Sequence, residues 1–234
     1  MTAAVFSTTV ITLLSTEWIA MATKAIKHFN GSSTVPHSLS LMSYNLHGLN
    51  QGCSTVRDFI DQVDIFHLQE HWQTPANMWR FSQLFPDYCA FGISALVDRV
   101  QAGPLIGRPY GGVVTLIRNE LLSECECLYT AKRLVVVRIR DILLCNVYLP
   151  CTGTVDREFI CEEIIAMLSD WRAKFPSCGW VLSGDFNAVL SDNSSVSRLL
   201  NKFLLENNLA RCDVFFLVIP STRLQMNLEG SIVN

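Results

Sequence analysis

The sequence predicts a layered α/β domain, and three observations carry that prediction. Short apolar runs rich in β-branched residues recur between Gly, Pro and polar breaks, as in "GGVVTLIR" and "VLSGDFNAVL". Two longer segments, "TVDREFICEEIIAMLSDWRAKF" and "SSVSRLLNKFLLENN", carry apolar residues at helical spacing. Half of the 234 residues are hydrophobic and 17% are charged, enough for a sizeable core and too apolar for wholesale disorder. Buried strands mixed with amphipathic helices pack as layers.

The elements follow in chain order. Residues 1–23, "MTAAVFSTTVITLLSTEWIAMAT", hold a short apolar part interrupted by Thr and Ser and closed by Glu17, with no positive start. Neither a cleaved signal nor a membrane span is expected there. Residues 1–38 therefore read as a loosely ordered leader, ending in the linker-like "NGSSTVPHS". "LSLMSYNLHGL" predicts a strand that stops at Gly48, and "STVRDFIDQV" a short helix begun by Ser54. "DIFHLQE" predicts a second strand and "GGVVTLIR" a third, after a tight Gly-Gly turn. "LVVVRIRDILLCNVYLP" reads as a hairpin turning near Asp141 and ended by Pro150.

The clearest helix places Ile160, Ile164, Met167, Leu168 and Trp171 on one face. Its acids come early, and Arg172 and Lys174 come late, matching the helix dipole. A strand over "VLSGDFNAVL" and a helix with Leu199, Leu200, Phe203 and Leu204 together complete the set. The domain spans 39–213, and 214–234 form a tail.

Net charge is −3, so no global basic field for nucleic acid exists and polyanion binding needs a local patch. The best local run, "AKRLVVVRIR" with Lys132, Arg133, Arg138 and Arg140, reads more simply as the solvated charges of a strand. The nine cysteines include no CxxC and no Cys/His cluster with zinc spacing. They read as reduced core thiols of an intracellular protein, nuclear or cytoplasmic.

Several strands end in polar residues of one chemical type: Asn45, Glu70, Tyr148, and Asp185 with Asn187. Two positions apart on a strand, Asp185 and Asn187 share a face, with Phe186 turned the other way. Ligands in layered α/β folds gather at strand ends. Two carboxylates with amides make a hard oxygen environment that suits Mg²⁺ or Mn²⁺ rather than zinc. Such a metal beside a phosphate neutralises charge, while Asp185 orients or deprotonates an attacking water. Alone, each residue is an ordinary turn former or cap, and Tyr148 an ordinary core tyrosine with its hydroxyl at the surface. His47, His67 and His71 read as ordinary residues, His67 within a strand. The order and spacing of the set carry the signal.

"SYNLHGL", "DIFHLQEHW", "GRPYGGVVTLIR", "CNVYLP" and "VLSGDFNAVL", in that order, resemble the endonuclease/exonuclease/phosphatase superfamily. The closest likeness is to endonuclease domains of non-LTR (LINE-type) retrotransposons, favoured by "QEHW" and "GRPYGG". The resemblance implies a two-sheet α/β sandwich of the DNase I-like, AP-endonuclease-like type. It implies Mg²⁺- or Mn²⁺-dependent hydrolysis of phosphodiesters, with DNA as the partner and no membrane association. Under it Glu70 is the main metal ligand, aided by Asn45 and Asp185. Asn45 lies near the scissile phosphate, Tyr148 contacts it, Asp185 activates the water, and Asn187 holds the phosphate or stabilises developing charge. Gly184 lets the backbone come close.

The family pattern continues with further strands, a second acid and a terminal Ser-Asp-His. Here the histidines are His28, His37, His47, His67 and His71, none downstream of Asp185, and "LVIPSTRLQMNLEGSIVN" does not resemble the family. The expectation is a domain incomplete at its C-terminus, short of strands in one sheet and weakened or inactive as a catalyst. The competing readings are a non-catalytic remnant or binding module of the same fold, and a phosphatase acting on a small phosphorylated molecule.

Overall fold

Apolar runs of five to eight residues become strands, because only a pleated ladder satisfies the backbone of a segment buried on both faces. The computed structural model describes the backbone of residues 10–15, 38–212 and 217–220, and the side chains of 39–209. In chain order the elements are β1 (Val10–Ser15), β2 (Ser38–Asn45), α1 (Leu49–Asp58), β3 (Ile65–Gln69), α2 (Arg80–Leu84), β4 (Tyr88–Ile93), α3 (Val97–Ala102) and β5 (Val113–Arg118). They continue with β6 (Cys125–Thr130), β7 (Leu134–Ile139), β8 (Ile142–Tyr148), α4 (Arg157–Lys174), β9 (Gly179–Asp185), α5 (Ser195–Glu206), β10 (Leu209–Cys212) and β11 (Leu217–Pro220). One sheet has the order β10-β1-β9-β8-β7-β6, the other β11-β2-β3-β5-β4.

Three apolar clusters set the layers. Leu41, Ile65 and Ile117 of one sheet meet Val135, Val137, Leu144 and Val181 of the other, so the sheets pack face to face. The outer face of the larger sheet is covered by α4 and α5 through Ile164, Leu168, Leu200 and Phe203. The outer face of the smaller one is covered by α1 and α2 through Leu49, Val56 and Phe81. The result is the expected two-sheet α/β sandwich with helices outside.

The sheet interface is not purely apolar. Gln69 Nε2 donates to Asn146 Oδ1 at 2.8 Å, Asn146 Nδ2 donates to the Val114 carbonyl at 3.0 Å, and His67 Nδ1 lies 2.6 Å from Ser183 Oγ. These buried groups fix the register of one sheet over the other, because any slip leaves them unpaired.

α1 begins at Leu49 and not at Ser54. Gly48, at φ +100°, turns the chain out of β2, and the Leu49 amide donates to the His71 carbonyl at 3.1 Å, which sets the helix start without a side-chain cap. The hairpin turns at Arg140 and Asp141. Arg138, in β7, pairs with Glu126 at 2.6 Å, and Arg140, in the turn, pairs with Glu124, so both are paired surface charges of the hairpin.

Part of the leader and part of the tail form strands. β1 runs antiparallel to β9, with Val10 opposite Asp185, and β11 runs antiparallel to β2, with Leu217 opposite Leu41. The remaining leader and tail residues lie outside the described residues. Among the described residues, no helix is long and apolar enough to cross a membrane.

Candidate active site

Two pairs of parallel strands end side by side. In one sheet β2 and β3 align Asn45 with Gln69, so Glu70 follows directly beyond the ladder. In the other, β8 and β9 align Tyr148 with Asp185. Because both pairs are parallel, their carboxyl ends share one edge of the sandwich. Hydrogen bonds then cross between the sheets. Asn45 Nδ2 donates to Asp185 Oδ2 at 2.8 Å, and the Tyr148 hydroxyl donates to Glu70 Oε1 at 2.8 Å. Four strand ends are tied into one polar cluster.

The cluster is held from behind. His47 N–H donates to Asn45 Oδ1 at 3.0 Å, which turns the Asn45 amide nitrogen toward Asp185. The second Asp185 oxygen, Oδ1, accepts the Asn187 backbone N–H at 3.0 Å. Both Asp185 oxygens are thus engaged, and the residue is buried. Glu70 is more open: Oε1 accepts the hydrogen bond from the Tyr148 hydroxyl, while Oε2 lies 3.5 Å from His47 Nδ1 at the partly exposed side of the site. His47, Glu70, Trp72 and Asn187 all have positive φ, between 46° and 55°. Strained backbone concentrated around one set of polar groups is a mark of functional positioning.

Gly184 shows a close approach of a specific kind. At φ +148°, a Cβ there would sit 1.9 Å from the Val147 carbonyl oxygen. The glycine lets β9 press against β8 and brings Asp185 level with Tyr148.

Burial acts on two ionisable groups of the set, Asp185 and Tyr148. Burial raises the Asp185 carboxyl, opposed by the Asn45 and Asn187 hydrogen bonds, with the Glu70 charge adding to the rise. Burial pushes the Tyr148 phenol up, reinforced by the Glu70 charge and hydrogen bond, so Tyr148 is a proton donor across the physiological range.

No protein-family model matches the chain, and no curated protein matches it. Solved structures do. The AP endonuclease LMAP from Leishmania major superposes with a TM-score of 0.54 at 16% identity, over 74% of this chain and 67% of that one. The 3′ phosphatase NExo from Neisseria, bound to a product DNA hairpin, gives 0.51 at 17% identity, over 72% and 70%. The chain has the two-sheet fold that these structures share. The endonuclease domain of TRAS1, a telomere-specific non-LTR retrotransposon, also matches, at 16% identity over 72% of this chain and 70% of that one. Its TM-score is 0.48.

On this fold the structure corrects one local reading. Strand alternation does not join Asp185 to Asn187, because β9 stops at Asp185 and Asn187 lies in a turn at φ +46°. The Asn187 side chain donates to the Leu149 carbonyl at 2.9 Å, and Arg157 Nη2 holds the Asn187 carbonyl at 2.6 Å. Asn187 meets Asp185 through its backbone. Phe186, between them, is buried in the helical side of the core.

Sequence reasoning passed over His47, which stands against Glu70. Its one signal was its place between Asn45 and the turn at Gly48. His67 and His71 are buried away from the carboxylates. Burial lowers His67 to about 3 and His71 to about 4, so both are neutral. His71 Nδ1 accepts the Gln73 N–H at 3.0 Å, which leaves Nε2 as the protonated nitrogen facing the Ile93 carbonyl. Among the described residues, eight cysteines are free, and no three His, Cys, Asp or Glu side chains converge as a metal cage.

Proposed function

We propose that this chain is a divalent-metal-dependent phosphodiester hydrolase acting on DNA, of the retrotransposon-endonuclease type. One observation carries the reading. Hydrogen bonds from Asn45 to Asp185 and from Tyr148 to Glu70 join the ends of four strands into one acid–amide–phenol centre. The motifs "QEHW" and "GRPYGG" support the retrotransposon branch.

The donor set fits a hydrated hard cation. Mg²⁺ keeps several waters and is commonly bound by one or two carboxylates. Glu70 would hold the cation through Oε2, on the partly exposed side of the site, with Asn45 and Asp185 assisting. A bound Mg²⁺ or Mn²⁺ supplies charge neutralisation and polarisation at the phosphate. The chain's own groups supply the rest. Asp185, raised by burial and oriented by Asn45 and the Asn187 N–H, takes the proton of the attacking water. Tyr148, kept protonated, offers its hydroxyl to a phosphate oxygen once substrate competes for it. Asn187, fixed by Leu149 and Arg157, holds the turn that aims Asp185.

A second reading, a DNA-binding module that retains the cleft without turnover, is favoured by Asp185, both of whose oxygens are already engaged by Asn45 and the Asn187 N–H.

The test is nicking of supercoiled plasmid in Mg²⁺ beside an Asp185→Ala control. Nicking lost in the control supports the hydrolase. DNA binding without nicking supports the module. Equal nicking by both proteins sinks the assignment of Asp185. Release of phosphate from a small phosphomonoester, with DNA left intact, moves the substrate to the phosphatase class.

A further inference from the structure

"QEHW" and "GRPYGG" contribute only Glu70 to the centre described above, yet the fold brings them together beside it. Gly48, Asn50, Trp72, Gln73, Arg108 and Pro109 line an open cavity of about 220 Å³. It adjoins the site through the backbone: the Gly48 amide donates to the Glu70 carbonyl at 2.8 Å, and Trp72 lies two residues beyond Glu70.

The cavity is built from fixed parts. The Trp72 amide donates to the Gly111 carbonyl at 3.0 Å, at a backbone φ of +55°. A Cβ on Gly48 would lie 2.6 Å from Trp72 Cε3, so only glycine leaves the indole its seat. Arg80 ties the polar walls together, donating to Gln73 Oε1 at 3.1 Å and to Asn50 Oδ1 at 2.7 Å. The movable part is Arg108, an exposed side chain whose guanidinium lies 4.3 Å above the centre of the Trp72 ring.

The chemistry selects a ligand. The lining holds a flat π face, a guanidinium and side-chain amides, and no carboxylate, which disfavours a cation. Its volume falls below the usual 300–1,000 Å³ of small-molecule sites and suits one planar ring system. Aromatic faces and Arg planes are what single nucleobases stack on, and every base has a π face.

We propose that this cavity is a nucleobase subsite, in which the base of a nucleotide beside the scissile phosphate stacks on Trp72 as the exposed Arg108 guanidinium lifts off the indole to cap the outer face of the base. It rests on the nuclease reading, since Glu70 places the phosphate.

The test measures binding, not turnover, by fluorescence anisotropy without divalent metal. The probes are a labelled thymidine homopolymer and an abasic strand of equal length, which carries the same phosphates and no bases. The native chain binds the thymidine strand more tightly. Trp72→Ala lowers that affinity by about five- to a hundredfold and leaves the abasic strand unchanged. Trp72→Phe, which keeps a stacking face, restores most of the preference. Arg108→Ala, at an exposed position that cannot unfold the core, narrows it independently of how Trp72→Ala folds. Equal losses on both strands, or an unchanged preference in Arg108→Ala, overturn the subsite alone. Failure of the native chain to bind either strand overturns the nuclease reading and the subsite with it.

Discussion

Acid should destabilise this fold through two histidines before its carboxylates titrate. His67 and His71 each move from an ordinary value of 6.5 to about 3 and about 4 in the folded chain, in both cases first through burial. The folded state therefore binds fewer protons than the unfolded chain below pH 6.5. Stability is fully present above that pH and is lost as pH falls, until about 4 for His71 and about 3 for His67. At pH 5 each histidine lies 1.5 pH units below 6.5 and costs about 2 kcal/mol, so the pair costs about 4 kcal/mol. That is a large part of the 5–15 kcal/mol of an ordinary domain. Asp185, raised by burial, works in the opposite sense, and only from the ordinary carboxylate range upward. The assay is urea unfolding followed by circular dichroism at pH 7 and pH 5. The midpoint should fall sharply at pH 5, and His67→Gln, which keeps a polar partner for Ser183, should remove about half of that dependence. Equal midpoints at the two pH values, or His67 and His71 resonances titrating near 6.5 in the folded protein, would refute the reasoning.

Two further substitutions probe the centre. Gly184→Ala drives a methyl into the Val147 carbonyl, 1.9 Å away, and should destabilise by about 3 kcal/mol or more, read as a lower urea midpoint with an unchanged slope. Asn45→Ala removes the Nδ2 donor from buried Asp185 and should raise its carboxyl further, seen as an upward shift of the Asp185 resonance titration and a loss of any nicking near neutral pH.

The strands that carry the site were legible because each is a short apolar run that ends in a polar residue. β8 and β9 are buried along their whole length, so their sequences read as continuous hydrophobic stretches up to Tyr148 and Asp185. α4 and α5 were legible from helical spacing. The less visible elements lack such signals. β6 is half exposed and carries "CECLYT", and α2 and α3 are five and six residues long, too short for an apolar stripe to repeat. The place of Asn187 was misread because a positive φ ends the alternation that strand reasoning assumes. β1 and β11 pair with strands far along the chain, and nothing local in either segment names the partner. The Trp72 cavity joins three separated segments, and only the fold reveals that two family-like motifs face each other.

On the proposed function, Glu70 is the cation-holding carboxylate of a centre shared by both sheets. Calorimetric titration of Mn²⁺ into the chain and into Glu70→Gln tests that claim most directly. Weak binding by the native chain, lost or markedly reduced in Glu70→Gln, is the predicted result. Equal Mn²⁺ affinity in the two proteins would contradict it.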